Sequence, residues 1–162
     1  MKIKLPHICF FGCGVIAARH AKLLKKLYPK IEISFASRSI SKAKAYTSAY
    51  KGSIGFGNYQ EAAESDLFDI AFITTPPSSH YELAMLNANN RKDIIVEKPV
   101  ARNLKELSGL EKAVSKNNVR FTVAENYLYK SFLKRIRLYI RKGYIGSPLF
   151  IELNKTNRDT MV

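Results

Sequence analysis

A glycine-rich turn near the start of the chain is the first feature with a chemical use. Gly12, Gly14 and Ala17 follow the pattern G-x-G-x-x-A between an apolar run and a helical pattern. Glycines let backbone approach a diphosphate closely, and the amides that open a helix attract that anion. We expect the backbone of the whole turn to line the site: Gly12, Cys13, Gly14, Val15 and Ile16. A tight strand-to-helix turn without a ligand is the alternative.

If the glycine turn binds a dinucleotide, the residues at the end of the second predicted strand would discriminate between NAD and NADP. An acid at this place would bind the ribose diol of NAD, but the chain has Ser37 and Arg38 there. Glu32 lies too early in the strand to take that role. A hydroxyl and a guanidinium suit a 2′-phosphate, which an acid would repel. The pattern therefore favours NADP over NAD, with a solvated arginine on a loop as the alternative.

Three further segments are more informative than the glycine turn alone. They are Ile73–His80 (ITTPPSSH), Val96–Pro99 (VEKP) and Ala124–Tyr127 (AENY). Together with the glycine turn, they resemble the glucose–fructose oxidoreductase / inositol dehydrogenase family (Gfo/Idh/MocA) from about Ile8 to Leu153. The resemblance implies an oxidoreductase that moves hydride between NAD(P) and a hydroxyl or carbonyl carbon of a sugar or polyol. A non-catalytic dinucleotide-binding module or partner subunit is the alternative.

The resemblance also implies roles for residues at the ends of the fourth and fifth strands. Thr74, Thr75 and Pro76 would lie under the cofactor, and His80 would follow in the next helix as a further cofactor residue. Ligands of open α/β sheets bind at the carboxyl ends of the strands, which agrees with this placement. For His80, a capping or packing role is the alternative.

The segment Glu97-Lys98-Pro99 is the hallmark of the family that the chain resembles. Lys98 would be the catalytic residue, contacting the substrate hydroxyl that loses its proton, and partial burial can tune a lysine toward neutrality. Glu97 would contact the nicotinamide ribose, and Pro99 would follow a cis peptide bond as in relatives. Without the other motifs, a Lys-Pro pair after a strand is usually only a turn.

The segment after the sixth strand marks a domain crossover. By resemblance, Asn126 would lie near the nicotinamide and Tyr127 near the substrate; a simple crossover turn is the alternative. Family enzymes continue into a second domain with an Asp-x-x-x-His pair, and the three histidines, His7, His20 and His80, all lie in the first part. We therefore predict a nucleotide-binding domain over 1–125 and an incomplete α+β second domain over 126–162.

Alternating strand and helix patterns are expected to position these residues. The order predicts a Rossmann-type, doubly wound α/β domain with a mostly parallel sheet and helices on both faces. A basic amphipathic helix over 130–141 and a strand over 148–153 would then begin the second domain. The chain would be a fragment of a longer protein or a short relative, and the exposed apolar helix face predicts a homo-oligomer.

Composition bounds the remaining possibilities. The 162 residues carry 27 Lys and Arg against 13 Asp and Glu, a formal charge of +14 that suits anionic cofactors and substrates. We do not expect nucleic acid as a partner, because no RNA- or DNA-binding motif accompanies the charge. We expect no metal site and no disulfide from Cys9 and Cys13. Without an apolar run of about 18 residues or a signal-peptide cleavage site, we expect a cytoplasmic protein with no membrane partner.

Overall fold

A computed structural model describes residues 5–152 and 154 of the chain, without the side chain of Leu128. By its internal contacts the chain divides into two compact units, Met1–Ala124 and Glu125–Val162. The first unit holds a parallel sheet with its helices, and the second holds a short helical segment. Each unit is described by itself.

The first unit alternates strands and helices along the chain. Its strands are β1 (Ile8–Phe11), β2 (Ile33–Ala36), β3 (Gly55–Phe56), β4 (Ile70–Ile73), β5 (Asp93–Val96) and β6 (Phe121–Val123). Its helices are α1 (Val15–Leu27), α2 (Ile40–Ala49), α3 (Tyr59–Glu64), α4 (His80–Asn89) and α5 (Leu104–Asn117), with a 3-10 turn at Pro77–Ser79. The predicted order of elements is confirmed.

All six strands run parallel in one sheet, in the order β3-β2-β1-β4-β5-β6. The chain winds from β1 outward to β3 and then returns to β4 on the other side of β1. This reversal places a crevice between the loops that follow β1 and β4, which is where open α/β sheets bind ligands. The predicted Rossmann-type fold is therefore confirmed.

The central strand β1 is buried on both faces because helices cover both sides of the sheet. Cys9 and Phe11 belong to one apolar cluster, which includes side chains from α4 and α5. Ile8 and Phe10 belong to the other, which includes side chains from α1. The Phe10 ring stacks between those of Phe35 and Phe72, with both centroid distances at 5.3 Å. This packing fixes the end of β1, from which the glycine turn departs.

The helices α2 and α4 begin in different ways. Ser39 caps α2, and its hydroxyl accepts a hydrogen bond from the Lys42 amide at 3.4 Å. Ser79 is the N-cap residue of α4, but its side chain does not cap the helix. The Ser79 hydroxyl instead lies 2.8 Å from Thr75 Oγ1 and 2.9 Å from the Pro76 carbonyl oxygen, because a 3-10 turn precedes the helix.

The second unit contains a 3-10 turn, Asn126–Tyr129, and the helix α6, Ser131–Arg141. The predicted amphipathic helix is thus confirmed within one residue. The predicted strand over 148–153 is wrong for residues 148–152, which have no regular structure, and Leu153 lies outside the described residues. A strand needs a neighbour to satisfy its backbone groups, and the described part of this unit supplies none. No helix among the described residues has the length and apolarity to cross a membrane.

Candidate functional site

The turn after β1 brings its backbone unusually close to the loop after β4. Gly12 is buried and has φ +111°, and its amide donates to the Ala36 carbonyl at 2.9 Å. A Cβ atom at this position would lie 3.0 Å from Thr75 Cγ2, 3.1 Å from Thr75 N and 3.2 Å from the Thr74 carbonyl carbon. Only glycine permits both this conformation and this approach.

We expect Gly12→Ala to lower the free energy of unfolding by about 2 to 4 kcal/mol, because the Cβ would combine left-handed backbone strain with overpacking. Urea denaturation followed by circular dichroism measures the change. Gly14→Ala is the matched control, since Gly14 has a negative φ and no atom would lie within 4 Å of its Cβ. Equal stability of the two variants would contradict the close approach of the two loops.

The start of α1 is open to a ligand. Gly14 is its N-cap residue, with φ −119°, no side chain caps the helix, and its first turn holds no acid. Ala18 makes the first backbone bond of the helix, donating to the Gly14 carbonyl at 3.0 Å. By helix geometry, the amides before Ala18 have no acceptor within the helix, and they carry the positive end of its dipole. Val15 and Ile16 are exposed beside them, so this turn can hold an anion.

The loop after β4 supports the glycine turn from the other side of the crevice. Thr74 is buried, and its hydroxyl lies 3.3 Å from the carbonyl oxygens of both Phe11 and Gly12. Its amide donates to the Phe11 carbonyl at 2.9 Å. Thr75 is half-buried and Pro76 is exposed. Thr74 therefore holds the two loops together, whereas Thr75 and Pro76 reach the crevice surface.

His80 begins α4 and lies beneath these loops. The residue is buried, with 1% of its surface exposed. Its Nδ1 atom lies 2.7 Å from the Pro99 carbonyl oxygen, and its Nε2 atom lies 2.7 Å from the Thr75 carbonyl oxygen. Both ring nitrogens are thus engaged by the protein. The expected direct contact between the His80 side chain and a cofactor does not fit this burial, so the packing alternative describes its place better.

The segment after β5 lies next to the loop after β4. The Glu97 amide donates to the Ile73 carbonyl at 3.0 Å, and the Lys98–Pro99 peptide bond is cis, as expected from the resemblance. Lys98 is exposed within the described structure, rather than partly buried. One Glu97 carboxylate oxygen lies 3.3 Å from His20 Nε2, on α1. Sequence patterns could not predict this pair, because 77 positions separate the two residues.

The loop after β2 carries positive charge near the glycine turn. Ser37 is buried and its hydroxyl accepts from the Ser39 amide at 3.3 Å, while Arg38 is exposed. Burial raises the pKa of the Cys13 thiol to about 11, and the nearby Lys42 ammonium opposes that shift. Lys42, in the first turn of α2, was missed by the sequence analysis although its spacing from Arg38 places it beside the same loop.

A tyrosine that no sequence motif pointed to, Tyr59, also lies beside this loop. Burial raises the pKa of the Tyr59 hydroxyl, and the Arg38 guanidinium acts in the opposite direction. The Tyr59 ring stacks on Phe11 with a centroid distance of 5.8 Å. Arg38 therefore lies near Tyr59, the first residue of α3, at the part of the sheet edge next to β3.

In the second unit, the residues after β6 form a compact turn. The Glu125 carboxylate accepts a hydrogen bond from the Tyr127 amide at 2.9 Å and so caps the 3-10 turn. Lys130 Nζ lies 3.7 Å from the centre of the Tyr127 ring, a cation–π distance. Asn126 is exposed. These two contacts stabilise the compact form of the turn.

A second concave region lies at the opposite edge of the sheet. This cleft of about 880 Å³ is lined by residues near the amino ends of β4, β5 and β6. Four of its charged groups form two pairs: Lys92 lies 3.8 Å from Asp66, and Arg120 bonds Asp93. These pairs reduce the charge that the cleft can offer to an anion, whereas the start of α1 has amides without an acceptor in the helix, so the carboxyl edge is the better candidate site.

Comparison with known proteins agrees with this geometry. Residues 7–125 match the model of a family described as an oxidoreductase family with an NAD-binding Rossmann fold. The chain is 31% identical over 106 residues to scyllo-inositol 2-dehydrogenase (NADP(+)) IolU of Bacillus subtilis (strain 168), covering 65% of this chain and 32% of that protein. It is 26% identical over 103 residues to D-xylose 1-dehydrogenase [NADP(+)] of Haloarcula marismortui, covering 64% and 29%.

Solved structures show the same fold. A crystal structure of scyllo-inositol dehydrogenase from Lactobacillus casei, with bound cofactor NAD(H) and scyllo-inositol, superposes with a TM-score of 0.80 at 16% sequence identity. The match covers 88% of this chain and 43% of that one. The chain thus spans less than half the length of that protein and about a third of the two curated relatives.

Proposed function

Because the chain belongs to the oxidoreductase family with an NAD-binding Rossmann fold, we propose that its first unit binds a nicotinamide dinucleotide at the carboxyl edge of the sheet. The diphosphate lies on the amides of Gly14, Val15 and Ile16. The observation that carries this proposal is the open space above Gly14, beside a helix start with no side-chain cap. Filling that space with a diphosphate would satisfy the free amides and complement the helix dipole.

We propose that NADP is the preferred cofactor, with NAD as the weaker ligand. Arg38 grips the 2′-phosphate, Ser37 offers its hydroxyl or backbone, and Lys42 adds a second cation. No acid takes the place at the end of β2 where a ribose diol would be bound. Both curated relatives described above carry NADP(+) in their names, which supports the same preference.

We propose that the chain supplies part of a hydride-transfer site. When bound, the nicotinamide would accept hydride from a carbinol carbon, or return it to a carbonyl carbon. Lys98 contacts the reacting oxygen, where its ammonium stabilises negative charge or relays the proton. Glu97, held by His20, faces the nicotinamide ribose, and Thr75 and Pro76 form the floor beneath the cofactor. Thr74 holds Thr75 and Pro76 in place through its contacts with the carbonyl oxygens of Phe11 and Gly12.

The proposed substrate is a sugar or polyol. The two curated relatives are named for scyllo-inositol and D-xylose, both polyhydroxylated molecules. Asn126 would assist at the nicotinamide, and Tyr127 would contact the substrate. We further propose that residues 126–162 begin a second domain, because the family match ends at residue 125 and the relatives are much longer.

Two further properties belong to the proposal. We propose homo-oligomerisation, since α6 exposes Phe132, Ile136 and Tyr139 on one face, a pattern typical of contact surfaces. We also propose a cytoplasmic location, which suits the free, buried thiols of Cys9 and Cys13.

Titration of the 162-residue chain with NADPH and NADH, followed by cofactor fluorescence, tests the central part of the proposal. We expect saturable binding of both, with the lower Kd for NADPH. Binding of neither nucleotide by a chain that circular dichroism shows to be folded would overturn the proposed function. Equal Kd values would overturn the NADP preference alone.

A further inference from the structure

His80 connects two loops that lie far apart in sequence. Its Nε2 atom meets the carbonyl oxygen of Thr75, five positions earlier, and Nδ1 meets that of Pro99, 19 positions later. Both distances are 2.7 Å, at the short end of the usual range for hydrogen bonds from nitrogen to oxygen. The ring is almost completely buried, so water cannot easily replace either bond.

The two partners explain why a histidine suits this position. Carbonyl oxygens only accept hydrogen bonds, so a ring nitrogen bonds to its carbonyl only where that nitrogen carries a hydrogen. A neutral imidazole donates to one of them, and the imidazolium donates to both. The rigid ring presents its two nitrogens on opposite sides, which matches two carbonyls that approach from different loops. An aliphatic side chain of similar size would fill the space but leave both oxygens without these donors.

The position of Lys98 shows what this bridge can accomplish. Lys98 is itself exposed, but the residues before and after it form contacts with neighbouring helices. Glu97 bonds to His20 on α1 at 3.3 Å, and the Pro99 carbonyl bonds to His80 on α4 at 2.7 Å. The backbone that carries Lys98 is thus held from both sides of the sheet edge.

We infer that His80 is a positioning residue, which sets the backbone of Lys98 relative to the loop that carries Thr75. The inference rests on the proposed function, in which Lys98 meets the substrate and Thr75 lies beneath the cofactor. His80 touches neither ligand, since its ring is buried and both nitrogens are engaged. Loss of the bridge would let the two loops shift relative to each other, and catalytic and binding groups tolerate only small displacements.

Two substitutions separate positioning from packing. His80→Leu keeps an apolar side chain of comparable bulk but removes both donors. His80→Gln keeps an amide NH₂ that can donate to one of the two carbonyl oxygens. We expect His80→Leu to raise the Kd for NADPH by about tenfold, the effect of roughly one displaced hydrogen-bonded contact, and His80→Gln to restore part of the lost affinity. A bridge that only fills space would make Leu the better substitute.

Asn87→Leu is the control on the same helix. Asn87 is fully buried, and its amide donates to the Leu83 carbonyl at 2.9 Å, within α4. We expect this change to alter the midpoint of thermal unfolding but to leave the Kd for NADPH within about threefold of the original, because it breaks no bond between the two loops. An equal loss of affinity in Asn87→Leu and His80→Leu would assign the effect to helix stability and overturn the inference.

A measurement without nucleotide keeps the bridge testable on its own. In amide ¹H–¹⁵N spectra of the free chain, we expect His80→Leu to shift or broaden the signals of Lys98 and Val100, and His80→Gln to reverse part of that change. Unchanged signals would overturn the inference. If they change as expected while the original chain binds no nucleotide, the bridge stands and the proposed function falls. Should His80→Leu not fold, His80→Met takes its place, because its side chain also fills the space without a strong donor, and the same changes at Lys98 and Val100 are expected.

Discussion

Gly14→Ala is expected to raise the Kd for NADPH by roughly 100-fold while the protein stays folded, since the loss of charge-assisted amide contacts is worth about 3 kcal/mol. The added methyl group meets no protein atom within 4 Å, and φ −119° is comfortable for alanine. It enters the space that the diphosphate would occupy over the start of α1. The loss is therefore expected in binding alone.

Fluorescence titration gives the Kd, and urea denaturation gives the free energy of unfolding, for which we expect a change below about 1 kcal/mol. Gly12→Ala provides the contrast, because its Cβ would meet the protein itself and lower stability. A Gly14→Ala variant that binds NADPH as well as the original chain would show that the diphosphate lies elsewhere.

Arg38→Asp is expected to reverse the cofactor preference. Removing the guanidinium and adding a carboxylate should raise the Kd for NADPH by about 100-fold, because a bidentate pair becomes a repulsion. The Kd for NADH should stay the same or fall, since the new acid can accept hydrogen bonds from the ribose diol. The ratio of the two Kd values, measured at one salt concentration, is the quantity to compare.

Arg91→Asp controls for the change in overall charge. It alters the charge by the same two units, but Arg91 is exposed beside the cleft at the opposite edge of the sheet. Aspartate also tolerates the φ of +56° at this position better than most residues. If both variants weaken NADPH binding equally, the preference comes from the general positive field and not from Arg38.

The parts of the fold that depend on local pattern could be predicted from the sequence. The helix α1, Val15–Leu27, follows the glycine turn as its helical pattern predicts, because the spacing of its apolar residues is regular. The strands follow from short apolar runs, and their common direction follows from the helices between them. Once the strands are parallel, the motifs at their ends must meet at one edge.

The contacts within the site could not be predicted in the same way. The bonds of His80 to the Pro99 carbonyl and of Glu97 to His20 join residues that only tertiary packing brings together. Lys42 was overlooked because a lysine in a helix of a basic chain is usually a solvated side chain. The predicted strand over 148–153 failed over 148–152 for a related reason, because a strand depends on a partner that the local pattern does not specify.

Amide-resolved NMR titration of the chain with NADPH tests the central claim most directly. We predict the largest shifts at the amides of Gly14, Val15 and Ile16, with smaller ones at Arg38 and Thr75. Shifts confined to the cleft near Asp66 and Arg120, with the amides at the start of α1 unmoved, would contradict the account.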